Sequence, residues 1–348
     1  MYHKGEIAVN PDINTLTLYP AFPADQIRIR MQEVLLTDNH AIDNIITYLT
    51  ENSGKMIRPR MVYLAASMAP HDQMMVRDAA VAVELIHMAS LVHDDVIDRA
   101  MIRRGKESIN KRWGNHTSVL TGDYLFATAF NLINQHGMQD IMENVTTTIR
   151  IMCAGEIKQM ALACDLNITE EQYLEKTYGK TACLFASSCK VGALAASMPA
   201  ESVYNLEQFG LCLGYAYQII DDLLDFMSDS ELLGKPVGTD LLEGNITLPV
   251  IHALRSTKYG IWLRTLLESG LLTEGNMPQV IEALIDSQAI AFSLQTARQF
   301  IARGLAYLEA LPASPAVKEL KFMAAYILET YYQKLSQDRD PVSKGVAR

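Results

Sequence analysis

The chain has 348 residues, 49% of them apolar and 20% charged, which is enough to bury a sizeable core and too apolar for disorder to be the expectation. A formal net charge of −10 argues against a nucleic-acid binder, which would present a basic face. A polyanionic ligand stays compatible with that charge if clustered basic side chains and bound cations dominate locally, because distant acidic surface is screened by salt.

Residues 1–23 carry Pro11, Pro20 and Pro23 and read as an irregular arm. The opening run MYHKGEIAVNPD has no hydrophobic stretch, so no signal peptide is expected. Helices are predicted over 24–36, 39–52 and 57–68, with Pro59 in the first turn of the third, where its missing N–H costs nothing. A long apolar helix is predicted over 73–98, followed by helices at 116–134, 138–162, 169–196 and 201–228. Glu84, His87 and Lys190 interrupt the most apolar stretches too early for a bilayer span. A loop from Gly234 to Asn245 precedes further amphipathic helices up to residue 335 and a polar tail at 336–348.

Period-two alternation is missing, and no internal boundary is rich in Gly, Pro and Ser. The expectation is therefore one all-α domain over 24–335, with several helices apolar nearly all round and hence central. Cys153, Cys164, Cys183, Cys189 and Cys212 form no CxxC pair and lie mostly in apolar stretches, and the histidines show no zinc spacing. Buried, reduced thiols in a soluble cytoplasmic protein are expected.

Two acidic clusters stand out, HDDVIDRA and IDDLLDFM, each at the end of a long apolar helix. On a helix Asp98 shares a face with Asp94 and Asp95, and Asp225 stands likewise to Asp221 and Asp222. Three carboxylates at a helix C-terminus repel one another and face the negative end of the helix dipole. A divalent cation relieves both conflicts, and hard oxygens at this density suit Mg²⁺ completed by water and phosphate oxygens. A single such cluster would read as a solvated helix end, but two matched ones ending buried helices need partners.

Basic elements accompany them. GKMIRPR places Lys55 and Arg58 near one another, with Arg60 beside them; IRRGK gives Arg103 and Arg104 just after the first cluster. YGKTA supplies Lys180 and Thr181, and LGKPVG supplies Lys235 just after the second cluster. Guanidinium forks and ammonium groups suit phosphate oxygens.

With these residues the chain resembles the trans-prenyl diphosphate synthases. The resemblance runs over about 50–250, through GKMIRP, ELIHMASLVHDDVIDRAMIRRG, TGDYLFA, GEIKQM, KTACLF, YQIIDDLLDF and GKPVGTDLLEGNITLP. It implies an isoprenoid synthase-type helical bundle around a deep central cavity, working as a homodimer or a related heterodimer. It further implies that Asp94, Asp95, Asp98, Asp221 and Asp222 hold up to three Mg²⁺ ions on an allylic diphosphate, with Asp225 in support. Arg103, Lys180 and Lys235 would add charge around that leaving group. Lys55, Arg58, His87 and Arg104 would bind isopentenyl diphosphate, while Gln218 and Thr181 line the reacting centre.

In this family bulky residues four or five positions before the first cluster end chain growth. Here those positions hold Ser90 and Ala89, with Val83, Ile86 and the small Ala82 further along. A medium or long product, hexaprenyl or heptaprenyl, is expected. Asn245 stands where many members have Lys, a departure that resembles component II of two-part hexaprenyl and heptaprenyl diphosphate synthases. A small regulatory subunit is thus an expected partner, with at most peripheral membrane contact. A class I terpene cyclase would share the aspartates but would not need a second diphosphate site, against which GKMIRP and RRG speak. A non-catalytic subunit of such a complex would usually have lost aspartates or binding-site basics, and a generic helical scaffold would leave both clusters unexplained.

Overall fold

The computed structural model describes residues 22–51, 54–161, 164–227 and 237–337. Lys235 and the arm up to residue 21 lie outside the described residues, as does the tail from 338. The chain opens with α1 (Ala24–Leu35), α2 (His40–Thr50) and α3 (Ile57–Ala66), followed by the long α4 (Gln73–Ile97). Polar caps set where these begin. Asn39 accepts from the Ala41 N–H at 2.9 Å, and Asp72 accepts from the Met74 and Met75 N–H groups at 2.8 and 3.1 Å.

A feature the helical reading missed follows α4: a two-residue hairpin, β1 (Ile102–Arg103) paired antiparallel with β2 (Lys106–Glu107). Its turn residues, Arg104 and Gly105, both have positive φ, 52° and 76°. That is the backbone of a primed hairpin turn, which suits glycine and costs a non-glycine residue roughly 1 kcal/mol. The short α5 (Ile109–Trp113) leads into α6 (Asn115–Gln135) and α7 (Gln139–Ala161).

The helix expected over 169–196 is three pieces: α8 (Glu170–Thr177), a π-helical turn (Tyr178–Ala182) and α9 (Cys183–Ala195). The wide turn lies where Gly179 meets Gly155 of α7. A Cβ on Gly179 would sit 2.8 Å from the Gly155 Cα, so both positions need glycine for the backbones to cross this closely. Then come α10 (Ala200–Met227), the helical turn α11 (Thr239–Leu242) inside the expected loop, α12 (Leu248–Leu254) and α13 (Gly260–Glu268). A 3₁₀ turn, α14 (Met277–Asp286), α15 (Ala289–Glu309) and α16 (Pro315–Gln337) complete the order.

Two apolar layers form the core. One gathers α9, α10, α15 and α16 around Phe185, Phe209 and Phe226, and the other gathers α1, α3, α4 and α6 around Met31, Leu85 and Leu125. α10 packs against α9 and α15, and α4 against α6. Within the second layer Asp78, 1% exposed, receives Arg30 Nε at 2.9 Å and His136 Nε2 at 2.8 Å, tying α1 and the end of α6 to α4. Cys183, Cys189 and Cys212 are buried, but Cys153 and Cys164 are exposed, so the expectation of buried thiols holds for three of the five. Among the described residues no helix is long and apolar enough to cross a membrane.

Candidate active site

The C-terminal halves of α4 and α10 face one another across an acidic cavity of about 380 Å³. From α4 it receives Asp94 and, one turn on, Asp98, which caps the helix. Asp95 does not line this cavity as the sequence reading expects. It is 3% exposed, is absent from that wall, and is ion-paired with Arg103, whose Nε and Nη2 each lie 2.6 Å from Oδ1. Asp94 and Asp98 line the cavity, whereas the ion pair with Arg103 holds the Asp95 carboxylate away from it. It braces the hairpin, and Asn110 Nδ2 adds bonds to the carbonyls of Asp95 and Ala100 at 3.1 and 3.0 Å. Arg103, so held, also reaches the cavity.

From α10 the cavity receives Asp221, Asp222 and Gln218. Asp222 is buried and accepts from the Tyr173 hydroxyl at 2.6 Å and from Gln218 Nε2 at 2.8 Å. The Thr181 hydroxyl donates to Gln218 Oε1 at 2.6 Å, so each group fixes the next. Asp225 stands behind the other two. It is not part of the wall; its Oδ2 accepts from the Asp240 N–H at 3.1 Å, and its carbonyl from the Gly238 N–H at 2.9 Å. It thereby anchors the loop that carries Asp240 into the cavity.

Burial and crowding leave these acids hard to ionise without a counter-cation. Burial, then Glu156, pushes the Asp94 carboxyl up to about 6 against the opposing charge of Lys180. Burial and Asp240 raise Asp222, and the same two causes push Asp225 up to about 7. Burial alone would lower Lys180, but Glu156 and Asp94 outweigh it and hold the ammonium above its ordinary value. The π-helical turn places Lys180 and Thr181 in the wall. Such turns recur at functional sites.

A second cavity of about 490 Å³ adjoins the first and shares Arg58, His87, Arg104, Tyr217 and Asp221 with it. Lys55 and Tyr326 also line it. Arg58 stacks over the Phe185 ring at 4.8 Å, and its buried Nε has no partner. Gly54 lies against the Arg104 guanidinium, where a Cβ would come within 2.6 Å of Nη2. Burial, then Arg58 and Arg104, holds His87 well below its ordinary value, so it stands as a neutral imidazole. Arg60, by contrast, turns to α16 and pairs with Glu319 at 3.6 Å.

The sequence reading missed several wall residues. Glu84 is 4% exposed and lines the second cavity together with Arg58 and Arg104; burial raises its carboxyl, and the charges of the two arginines oppose that. A charged residue inside an apolar helix was the available signal. Asp240, Lys176 and Tyr173 also line the acidic cavity. The first lay inside a quoted motif; nothing in sequence spacing pointed to the other two. Among the expected chain-length positions, Ser90 lines the acidic cavity, while Ala89 and Ile86 are fully buried in the core. Ala89 thus packs inside the bundle, next to the wall residue Ser90.

The donor chemistry of the acidic cavity is that of a hard divalent cation. Carboxylates come from two facing helices, and the buried Oε1 of Gln159 beside them has no partner. No group of three acidic, His or Cys side chains among the described residues forms a ready-made cage. Such a cation would complete its shell with water and ligand oxygens.

A family model, polyprenyl synthetase, matches residues 39–284. The chain belongs to the polyprenyl synthetase family. It is a family of transferases and of the all-α isoprenoid synthase fold. The family relative heptaprenyl diphosphate synthase component 2 of Geobacillus stearothermophilus is 40% identical over 280 residues, covering 80% of this chain and 87% of its own. Octaprenyl diphosphate synthase of Escherichia coli is 35% identical over 287 residues, covering 81% and 88%. Among solved family structures, a polyprenyl synthase from Caulobacter crescentus, complexed with calcium and isoprenyl diphosphate, superposes with a TM-score of 0.82. It is 32% identical and covers 88% of this chain and 94% of its own.

Proposed function

We propose that this chain is a Mg²⁺-dependent prenyltransferase that adds isopentenyl diphosphate head-to-tail to an allylic diphosphate, giving a medium or long all-trans polyprenyl diphosphate. One observation carries the reading: an acidic cavity and a basic cavity adjoin and share Arg58, His87, Arg104, Tyr217 and Asp221. Two diphosphates can thus lie side by side, one through cations held by carboxylates and the other on guanidinium and ammonium groups. A terpene cyclase would have no use for the second cavity.

Asp94 and Asp98 on one helix and Asp221 and Asp222 on the other would hold Mg²⁺. When bound, Mg²⁺ neutralises charge on the allylic diphosphate and so favours its departure. Lys180 and Arg103 supply further positive charge beside that leaving group. Lys55, Arg58 and Arg104 hold isopentenyl diphosphate, with Glu84 in the same wall and neutral His87 contributing hydrogen bonds. The Thr181–Gln218–Asp222–Tyr173 chain keeps the reacting centre rigid. As the allylic C–O bond breaks, the isopentenyl double bond attacks the allylic carbon, and a proton is then lost from the new unit. Burial of the cavity between α4 and α10 limits water around the cationic carbon.

The small Ser90 in the wall supports a product longer than farnesyl, of hexaprenyl or heptaprenyl size. The likeness to relatives named component 2 supports a heterodimer with a small subunit, a homodimer being the alternative. The test is elongation of farnesyl diphosphate with labelled isopentenyl diphosphate and Mg²⁺, with and without a candidate small subunit and with a chelator control. Metal-dependent long products are expected. Failure to elongate under all these conditions overturns the reading.

A further inference from the structure

Lys176 lies one turn before Lys180, at the C-terminal end of α8, and lines the acidic cavity. Its ammonium donates to Asn245 Oδ1 and sits 5.8 Å from the centre of the Tyr173 ring. Asn245 is fixed in turn: its N–H donates to the Asp240 carbonyl at 2.8 Å, after Gly244 at φ 81°. The cation is therefore held by a neutral amide oxygen. A carboxylate in that place would cancel the charge; an amide leaves it intact and leaves two N–H groups for an incoming anion. Burial lowers the Lys176 ammonium from its ordinary value; Asp222 of α10, Asp240 of the loop and Glu156 of α7 oppose that, and Lys180 adds to it. Tyr173, on the same helix, links this corner to Asp222 through its hydroxyl. One cation thus faces the carboxylates from α8, oriented by a loop residue that carries no charge of its own.

We propose that Lys176, oriented by Asn245, is a binding residue for the diphosphate of the allylic substrate and for released pyrophosphate. The proposal rests on the prenyltransferase reading and deepens it. The pair works as a unit: the loop position is neutral because the helix supplies the ammonium. A charge-assisted hydrogen bond to phosphate contributes about tenfold to hundredfold in affinity.

The test measures KM for each substrate in the complete enzyme, with any required small subunit, together with calorimetric binding of Mg²⁺-pyrophosphate. Lys176→Met should raise the allylic KM and the pyrophosphate Kd at least tenfold while leaving the isopentenyl KM within twofold. Lys176→Arg should stay near wild type. Asn245→Asp keeps the lysine and the fold but pins the ammonium with an anion, and it should weaken pyrophosphate in the same direction. Adding Asn245→Lys to Lys176→Met should restore binding by returning the cation from the other side. Unchanged allylic KM and pyrophosphate Kd in Lys176→Met, or equal weakening of both substrates, overturns the proposal. Absence of elongation by wild type would instead overturn the prenyltransferase reading, while the pyrophosphate measurement still decides the role of Lys176.

Discussion

Replacing Asp94 by Asn should make the metal-free protein more stable while nearly abolishing its activity. Asp94 is a half-buried carboxyl raised from 3.8 to about 6. Two units correspond to about 3 kcal/mol of resistance to ionisation, and partial exposure reduces the usable part to about 1–3 kcal/mol. Asn keeps the shape without the charge. Below about pH 4 the carboxyl is protonated in folded and unfolded chains alike, so the variant gains nothing. As pH rises through about 4 to 6 the folded wild type holds a proton that the unfolded chain has already released, and its stability falls. The advantage of the variant is complete above about pH 6.

Urea unfolding of both proteins in chelator at pH 5 and pH 7.5 reads this difference. With Mg²⁺ and pyrophosphate the order should invert: wild type gains about 4.1 kcal/mol at a thousandfold excess over Kd, and the variant gains little. Turnover should fall on the order of a thousandfold. A variant less stable than wild type in chelator, or one that responds to Mg²⁺-pyrophosphate like wild type, would refute the reasoning.

Two further outcomes are expected. Ser90→Phe places a ring at the cavity wall and should shorten the product without much loss of stability, whereas Ala89→Phe forces the ring into packed core at about 1–3 kcal/mol. Product chromatography and denaturation together check this; shortening by Ala89→Phe alone would contradict the wall. Asp78→Asn leaves Arg30 and His136 without their buried anion and should cost about 2–3 kcal/mol at neutral pH. Burial alone would raise Asp78, but the bonds from Arg30 and His136 outweigh it and hold the carboxyl low. Its stabilisation is therefore present above about pH 4 and lost as pH falls through the native value, so acid titration of stability should be shallower in the variant.

The sequence by itself determined the helical class and the family, because apolar residues recur at helical spacing and the acidic and basic motifs are local strings. It also identified most of the charged inventory: Asp94, Asp98, Asp221, Asp222, Arg58, Arg104 and Lys180 all reach the paired cavities. What it could not determine was the direction of neighbours within a motif. DDxxD does not say that Asp95 turns to Arg103 or that Asp225 anchors a loop, since a residue's partner on another element is set by how the elements cross. Only the tertiary structure placed Glu84 in one cavity wall with Arg58 and Arg104, Asp240 in one wall with Asp222, and Lys176 against Asn245, residues 69 apart in the chain. It also revealed the π-helical turn, which lies where Gly179 approaches Gly155 on a different helix. Local periodicity encodes which face of a helix is apolar; only packing fixes which of the remaining side chains share a cavity.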